Sequence, residues 1–232
     1  MFTFWKVNLT AQSKSDSLRE QVYQTLRSAL RKGRIGSSRI ATERDLADEL
    51  RVSRTPVREA LALLMHEGLV SYSSRGFSPP ELSRRDISDL FEIRRMLEPG
   101  ALAATIDHLS AHDVKSLRQL LMEQESADVA GDVTAFTAAN LQFRAVWLAA
   151  VPNEQLRALI ELHDDHVQWM REATLHDDKV RKKVVAGLRT ILTAIDAGKP
   201  AAVAAAMLEH MNAAERALAQ TVESSSTGHT TA

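Results

Sequence analysis

Apolar residues recur at the three-and-four spacing of a helix face from Leu18 through Val22 and Leu26 to Ala29 and Leu30. Gly33 and Gly36 end this first helix. A second starts in ATERDLADEL, where Thr42 and Asp45 have the spacing of a short capping box and Leu46, Ala47 and Leu50 form the apolar stripe. After the polar connection RVSRT, a third helix is expected, with Thr55 as N-cap and Pro56 as its first helical residue. Val57, Ala60, Leu61 and Leu64 form its inner side, and Gly68 closes it. The period then falls to two: Leu69, Ser71 and Ser73 alternate with Val70, Tyr72 and Ser74, Arg75-Gly76 makes a turn, and a short return strand follows. Three helices and a two-stranded wing thus occupy residues 16–80, after a polar, disordered stretch at 1–15. Pro79-Pro80 ends this domain.

From Ser83 the pattern is helical throughout. Ser83 and Asp86 form another capping box, and Leu90, Ile93 and Leu97 line one face ahead of a break at Pro99-Gly100. Further breaks fall near Gly131, Pro152, Asp177-Asp178 and Gly198-Lys199-Pro200. They predict an all-α bundle of six or seven helices over residues 81–220, followed by a low-complexity, disordered tail at 221–232. The fold class is therefore mainly α: a winged helix-turn-helix joined to a helical bundle.

Composition removes several possibilities. With no cysteine there is neither a disulfide framework nor a thiolate metal site. No apolar run reaches the roughly 18 residues of a membrane helix, and the first residues lack the apolar core of a secretory signal, so a cytoplasmic protein is expected. The net charge of −1 hides an asymmetry: residues 1–80 hold 13 Lys and Arg against 8 Asp and Glu, and the remainder is acidic. A basic front on an acidic body suits a nucleic-acid-binding module joined to something else.

RVSRTPVREALALLMHEGLV, from Arg51 to Val70, carries its cations only at the front, where the helix macrodipole disfavours them. In a helix-turn-helix the second helix enters the major groove by its N-terminal residues, which explains this placement. Arg51, Ser53, Arg54, Thr55 and Arg58 then face phosphates or guanine edges, Arg44 meets the backbone, and Arg75 and Gly76 form the wing tip. The run from Leu46-Ala47 through VSRTPVREAL to Gly68-Leu69-Val70, followed by SSRGF, resembles the DNA-binding domain of the GntR family of bacterial transcription regulators. One departure is Ser37-Ser38 near the place of the family's usual Pro-Gly. The resemblance implies DNA contacts at Arg44, Arg54, Thr55, Arg58 and Gly76.

DISDLFEIRRMLEPGALAATI, NLQFRAVWLAAVPNEQL with its Asn153, and LRTILTAIDAGKPAAVAAAMLEH resemble the all-helical FCD domain of the FadR subgroup. Many such domains bind a metal through one Asp and three His. The corresponding positions here are Asn140, Arg144, Leu188 and His210, so no metal and no other cofactor is expected. Arg144 places a cation where metal-bearing members hold the ion. Either it anchors a carboxylate, with Arg94, His210 and Asn140 assisting, or it pairs with a nearby Asp or Glu.

His163 and His166, three apart in ELHDDHVQW, fit a polar helix face better than a surface metal site, and which of them turns inward is open. Trp147 and Trp169 suit packing, His66, His108, His112 and His176 suit the surface, and Arg181 to Lys183 suits a solvated charge cluster. No GxSxG, HExxH, P-loop or dinucleotide fingerprint points to an enzyme. The expected protein is a sequence-specific DNA-binding transcription regulator, homodimeric, that binds a palindromic double-stranded operator and senses a small carboxylate-bearing metabolite. The competing possibilities are a constitutive regulator with a decayed pocket and, more remotely, an enzyme in the helical domain.

Overall fold

A computed structural model describes residues 17–31, 41–78, 80 and 83–227, without the side chains of Arg31, Glu172 and residues 221–227. The chain divides into two units, Met1–Glu81 and Leu82–Ala232. The first holds helices α1 (Leu18–Arg31), α2 (Glu43–Leu50) and α3 (Arg54–His66), then strands β1 (Ser71–Ser73) and β2 (Gly76–Ser78). The glycines expected to end α1, and the Ser37-Ser38 departure, lie outside the described residues.

Local chemistry sets the ends of these elements. Thr42 and Asp45 form the reciprocal capping box at the start of α2. Arg51 closes α2 in the left-handed region, at φ 57° and ψ 43°, a conformation costly for a residue with a Cβ. The start of α3 differs from the sequence expectation. Ser53, not Thr55, is the N-cap, so Arg54 and Thr55 are already helical and Pro56 is the third residue of the helix. Proline is tolerated there because the first-turn N–H groups have no intrahelical acceptor. β1 and β2 pair antiparallel with Tyr72 opposite Phe77, and Phe77 also bridges to Ala41, a third extended position with no alternating signal. Val22, Leu26, Leu46, Val57, Leu61, Leu64 and Phe77 share one core, whereas Leu18 is exposed. The Tyr23 hydroxyl donates to Glu67 at 2.8 Å, tying α1 to the end of α3.

The second unit is built of α4 (Arg84–Ala104), α5 (Ala111–Ala130), α6 (Val133–Ala149), α7 (Glu154–Glu161), α8 (Asp164–Thr174), α9 (Asp178–Asp196) and α10 (Pro200–Thr227). Three expectations are corrected here. α4 runs through Pro99 and Gly100 and ends near Thr105, and the next helix opens at a capping box of Ser110 and Asp113. Proline removes one backbone hydrogen bond, but Pro99 is buried between Glu98 and the fully buried Ala101 and Leu102, so packing holds the helix through it. Ile93, expected on the inner face, is exposed, and that face is Ile87, Leu90, Phe91, Arg94 and Glu98. α10 continues to Thr227, past the expected start of the tail at 221. A break at Leu162-His163, without Gly or Pro, separates α7 from α8.

Phe91, Leu102, Leu117, Phe136, Phe143, Trp147, Ile191 and Met211 form the second core. Ion pairs stitch its helices: Arg95 of α4 to Glu215 of α10, and Arg181 of α9 to Asp128 of α5 at 2.6 Å. Arg181 is therefore not part of a solvated cluster. It is buried, and its Nη1 also donates to the carbonyls of Leu175 and His176.

Candidate DNA interface and a buried polar cluster

The first turn of α3 presents Arg54 and Thr55 to solvent, with exposed Ser53 before them and exposed Arg58 one turn on. The Ser53 side chain makes no capping bond, so its hydroxyl and the first N–H groups of the helix remain available to an acceptor. Arg51, Arg54 and Arg75 are exposed and form no ion pair among the described residues. Arg58 is different: its Nε and Nη2 donate to the Glu43 carboxylate at 3.0–3.2 Å. Arg44 lies 3.7 Å from Asp48 on an exposed face, a weak contact. Gly76 is buried at the base of β2 with φ 127°, so its place is in the wing turn, with exposed Arg75 at the tip. Arg51 lies in the turn between α2 and α3, within the connection read from the sequence.

In the second unit, the four positions taken from the family resemblance do not act alike. The Arg94 Nε donates to Glu98 Oε1 at 2.8 Å. Arg144 donates from Nη1 to Glu98 Oε2 at 2.5 Å and from Nε and Nη2 to Asp164 Oδ1 at 3.1 and 3.0 Å, and it lies 5.4 Å above the Trp147 ring. Arg144 is thus paired with two acidic neighbours. Glu98 is the hinge of this cluster: burial alone would raise its pKa, but Arg94 and Arg144 hold it down at about 2. Asn140 donates to Gln124 Oε1 at 2.9 Å and accepts from Arg171 Nε at 2.7 Å. His210 packs against Gly187 of α9, and its imidazole is pushed down to about 4 by burial and by Arg94 and Arg171. His163 is pushed down by burial and by His166, with smaller effects from Glu98 and Arg94.

Glu98, Asp164, Gln124 and Arg171 carry no motif and escape sequence reasoning. The one available signal was Arg94 and Glu98 at four-residue spacing, which pairs them only if the helix survives to Pro99. The donor set does not fit a metal ion. Asn140 and Arg144 bring an amide and a cation, Leu188 is buried apolar, and no cluster of three or more His, Cys, Asp or Glu suited to a metal occurs among the described residues.

A winged helix-turn-helix with unpaired arginines at its tip, followed by a helical bundle with an ionised interior, defines a two-part DNA-binding regulator. Residues 18–76 match the gntR family of bacterial regulatory proteins, and residues 89–213 match the FCD domain. The chain belongs to the GntR family and carries an FCD domain. It is 32% identical over 163 residues to the HTH-type transcriptional regulator McbR of Escherichia coli K12, covering 70% of this chain and 72% of that protein. It is 27% identical over 194 residues to the uncharacterized HTH-type transcriptional regulator YdhC of Bacillus subtilis 168, covering 83% and 87%. The solved structure of E. coli McbR/YncC superposes with a TM-score of 0.70 at 26% identity, over 88% of this chain and 98% of that one. Among the described residues no helix is long and apolar enough to cross a membrane.

Proposed function

We propose that α3 enters the major groove of a palindromic operator as part of a homodimer, and that the helical unit governs this binding through a small carboxylate-bearing molecule. The observation that carries the first half is the exposed first turn of α3. Arg54 stands at a helix start with no ion pair among the described residues, so an external anion would compensate it. In this reading Arg54, Thr55 and Arg58 address base edges, Ser53, Arg51 and Arg44 the phosphates, and Arg75 the neighbouring groove. Glu43 holds the Arg58 fork until DNA competes for it. The second half is supported by the buried cations around Asn140 and His210. Because Glu98 and Asp164 already occupy the Arg144 fork, a constitutive regulator with a closed interior is the second reading.

Gel-shift titration against the promoter of its own gene and of adjacent genes tests the DNA half. Arg54→Ala and Arg58→Ala should each cost about 1–3 kcal/mol per half-site and relax sequence preference, whereas Arg189→Ala in the second unit should bind like wild type. Wild-type binding by both recognition-helix variants would refute the docking. Light scattering tests the dimer, and a monomer at micromolar concentration with and without DNA would refute it.

A further inference from the structure

Arg94, Arg144 and Arg171 meet in the buried cluster of the second unit, and among the described residues only the first two pair with a carboxylate. Glu98 accepts from Arg94 and Arg144, and Asp164 accepts from Arg144. These are the carboxylates whose charges act most on Arg171, and both are committed to other guanidiniums. Arg171 itself donates from Nε to the Asn140 amide oxygen at 2.7 Å. Its Nη1, shielded from solvent, has no hydrogen-bond partner among the described residues. An amide oxygen satisfies one donor and neutralises no charge. Burial, then Arg144 and Arg94, push this guanidinium down to about 9, so it keeps its proton at neutral pH and the fold holds the charge at a cost.

The neighbouring groups fix the orientation of this cation. Gln124 holds the Asn140 side chain at 2.9 Å, and Asn140 in turn holds Arg171 by its Nε edge. That leaves the Nη1–Nη2 end of the fork, whose spacing matches the two oxygens of a carboxylate. His210, kept neutral beside Arg94 and Arg171, offers a hydrogen bond without adding charge. Among the described side chains, the three guanidiniums share the two carboxylates of Glu98 and Asp164, one negative charge fewer than the cations.

We propose that Arg171, rather than Arg144, anchors the effector, through a single carboxylate group that supplies the missing negative charge. The assignment rests on the reading that the helical unit binds a carboxylate-bearing molecule, and it names the residue and the charge. Arg144 becomes a positioning residue that keeps Glu98 and Asp164 away from Arg171.

The test uses thermal unfolding of the full-length protein, titrated with sodium acetate against sodium chloride at constant ionic strength, with inorganic phosphate in parallel. Wild type should gain melting temperature saturably with acetate. Arg171→Met, which keeps the apolar stem and removes the charge, should melt higher than wild type without acetate. It should need roughly tenfold to a hundredfold more acetate for the same shift, the loss expected for a charged hydrogen bond. Arg171→Lys, which keeps the charge and loses the fork, should recover part of the response, and Arg189→Gln all of it. If Arg171→Met responds to acetate like wild type, the anchor is elsewhere and the carboxylate reading stands. If wild type gains nothing from acetate, or gains only from phosphate, the carboxylate reading falls and takes the anchor with it. If Arg171→Met melts lower than wild type without acetate, Arg171 is a structural cation and the proposal is overturned.

Discussion

Arg51 and Glu98 show how much a single side chain decides. Arg51 stands at φ 57° to turn the chain from α2 into α3. The left-handed conformation costs a non-glycine residue roughly 1–2 kcal/mol, and glycine gives back part of that gain through its freedom in the unfolded chain. Arg51→Gly should therefore stabilise the first unit by up to about 1 kcal/mol in denaturant titration. If Arg51 meets a phosphate, the same variant should lower the salt dependence of DNA binding by about one phosphate contact per protomer. Glu98 accepts from both Arg94 and Arg144 at 2.8 and 2.5 Å. Glu98→Ala leaves two buried cations short of their carboxylate and should cost about 3–5 kcal/mol. A loss under 1 kcal/mol by chemical denaturation would show that water reaches the cluster.

Between elements, the contact of α9 with α10 depends on one missing methyl group. A Cβ at Gly187 would stand 2.4 Å from His210 Nδ1. The three nearest atoms all belong to His210, and within a helix alanine is worth about 1 kcal/mol over glycine. Gly187→Ala should thus destabilise the wild-type protein, yet stabilise a His210→Ala background by about 1 kcal/mol. Additive changes in this double-mutant cycle would mean that the two residues do not touch. The same scale explains why α4 survives its proline. Arg94 and Glu98 are paired one turn apart immediately before Pro99, and Ala101 and Leu102 are fully buried after it. Burial and a shielded ion pair outweigh one absent backbone bond.

For the whole molecule, stability should depend on pH through the second unit. His210 has its pKa depressed to about 4, so the unfolded chain takes up its proton at a higher pH than the native state does. The stability present above the ordinary value of 6.5 is then lost as pH falls from there toward 4. Glu98, depressed to about 2, adds a second loss as pH falls below its ordinary 4.5. Melting temperatures of the full chain by circular dichroism should decline from pH 6.5 downward, and His210→Gln should flatten the part between 6.5 and 4. Parallel curves for the two proteins would show that His210 does not carry this dependence. Each unit has its own core, so the acid loss belongs to the helical unit that holds both residues.

Hydrophobic period, capping spacing and turn residues determined the element order, because each is encoded within a few neighbouring positions. Thr42 with Asp45, Ser83 with Asp86, and the ends at Gly131 and Gly198 are local choices, and all were legible. The front-loaded arginines of α3 were legible for the same reason. The start of α3 at Ser53, the passage of α4 through Pro99 and the burial of Arg181 were not, since packing rather than local preference decides them. The polar cluster was least legible. Arg144 could be recognised as a cation in a metal's place, but which carboxylates meet it depends on where α4, α6 and α8 bring Glu98, Arg144 and Asp164 together. Only the tertiary structure distributes those charges, and among the described residues of the cluster it leaves Arg171 without a carboxylate, because pairing in a shielded interior is fixed by distance and not by sequence order.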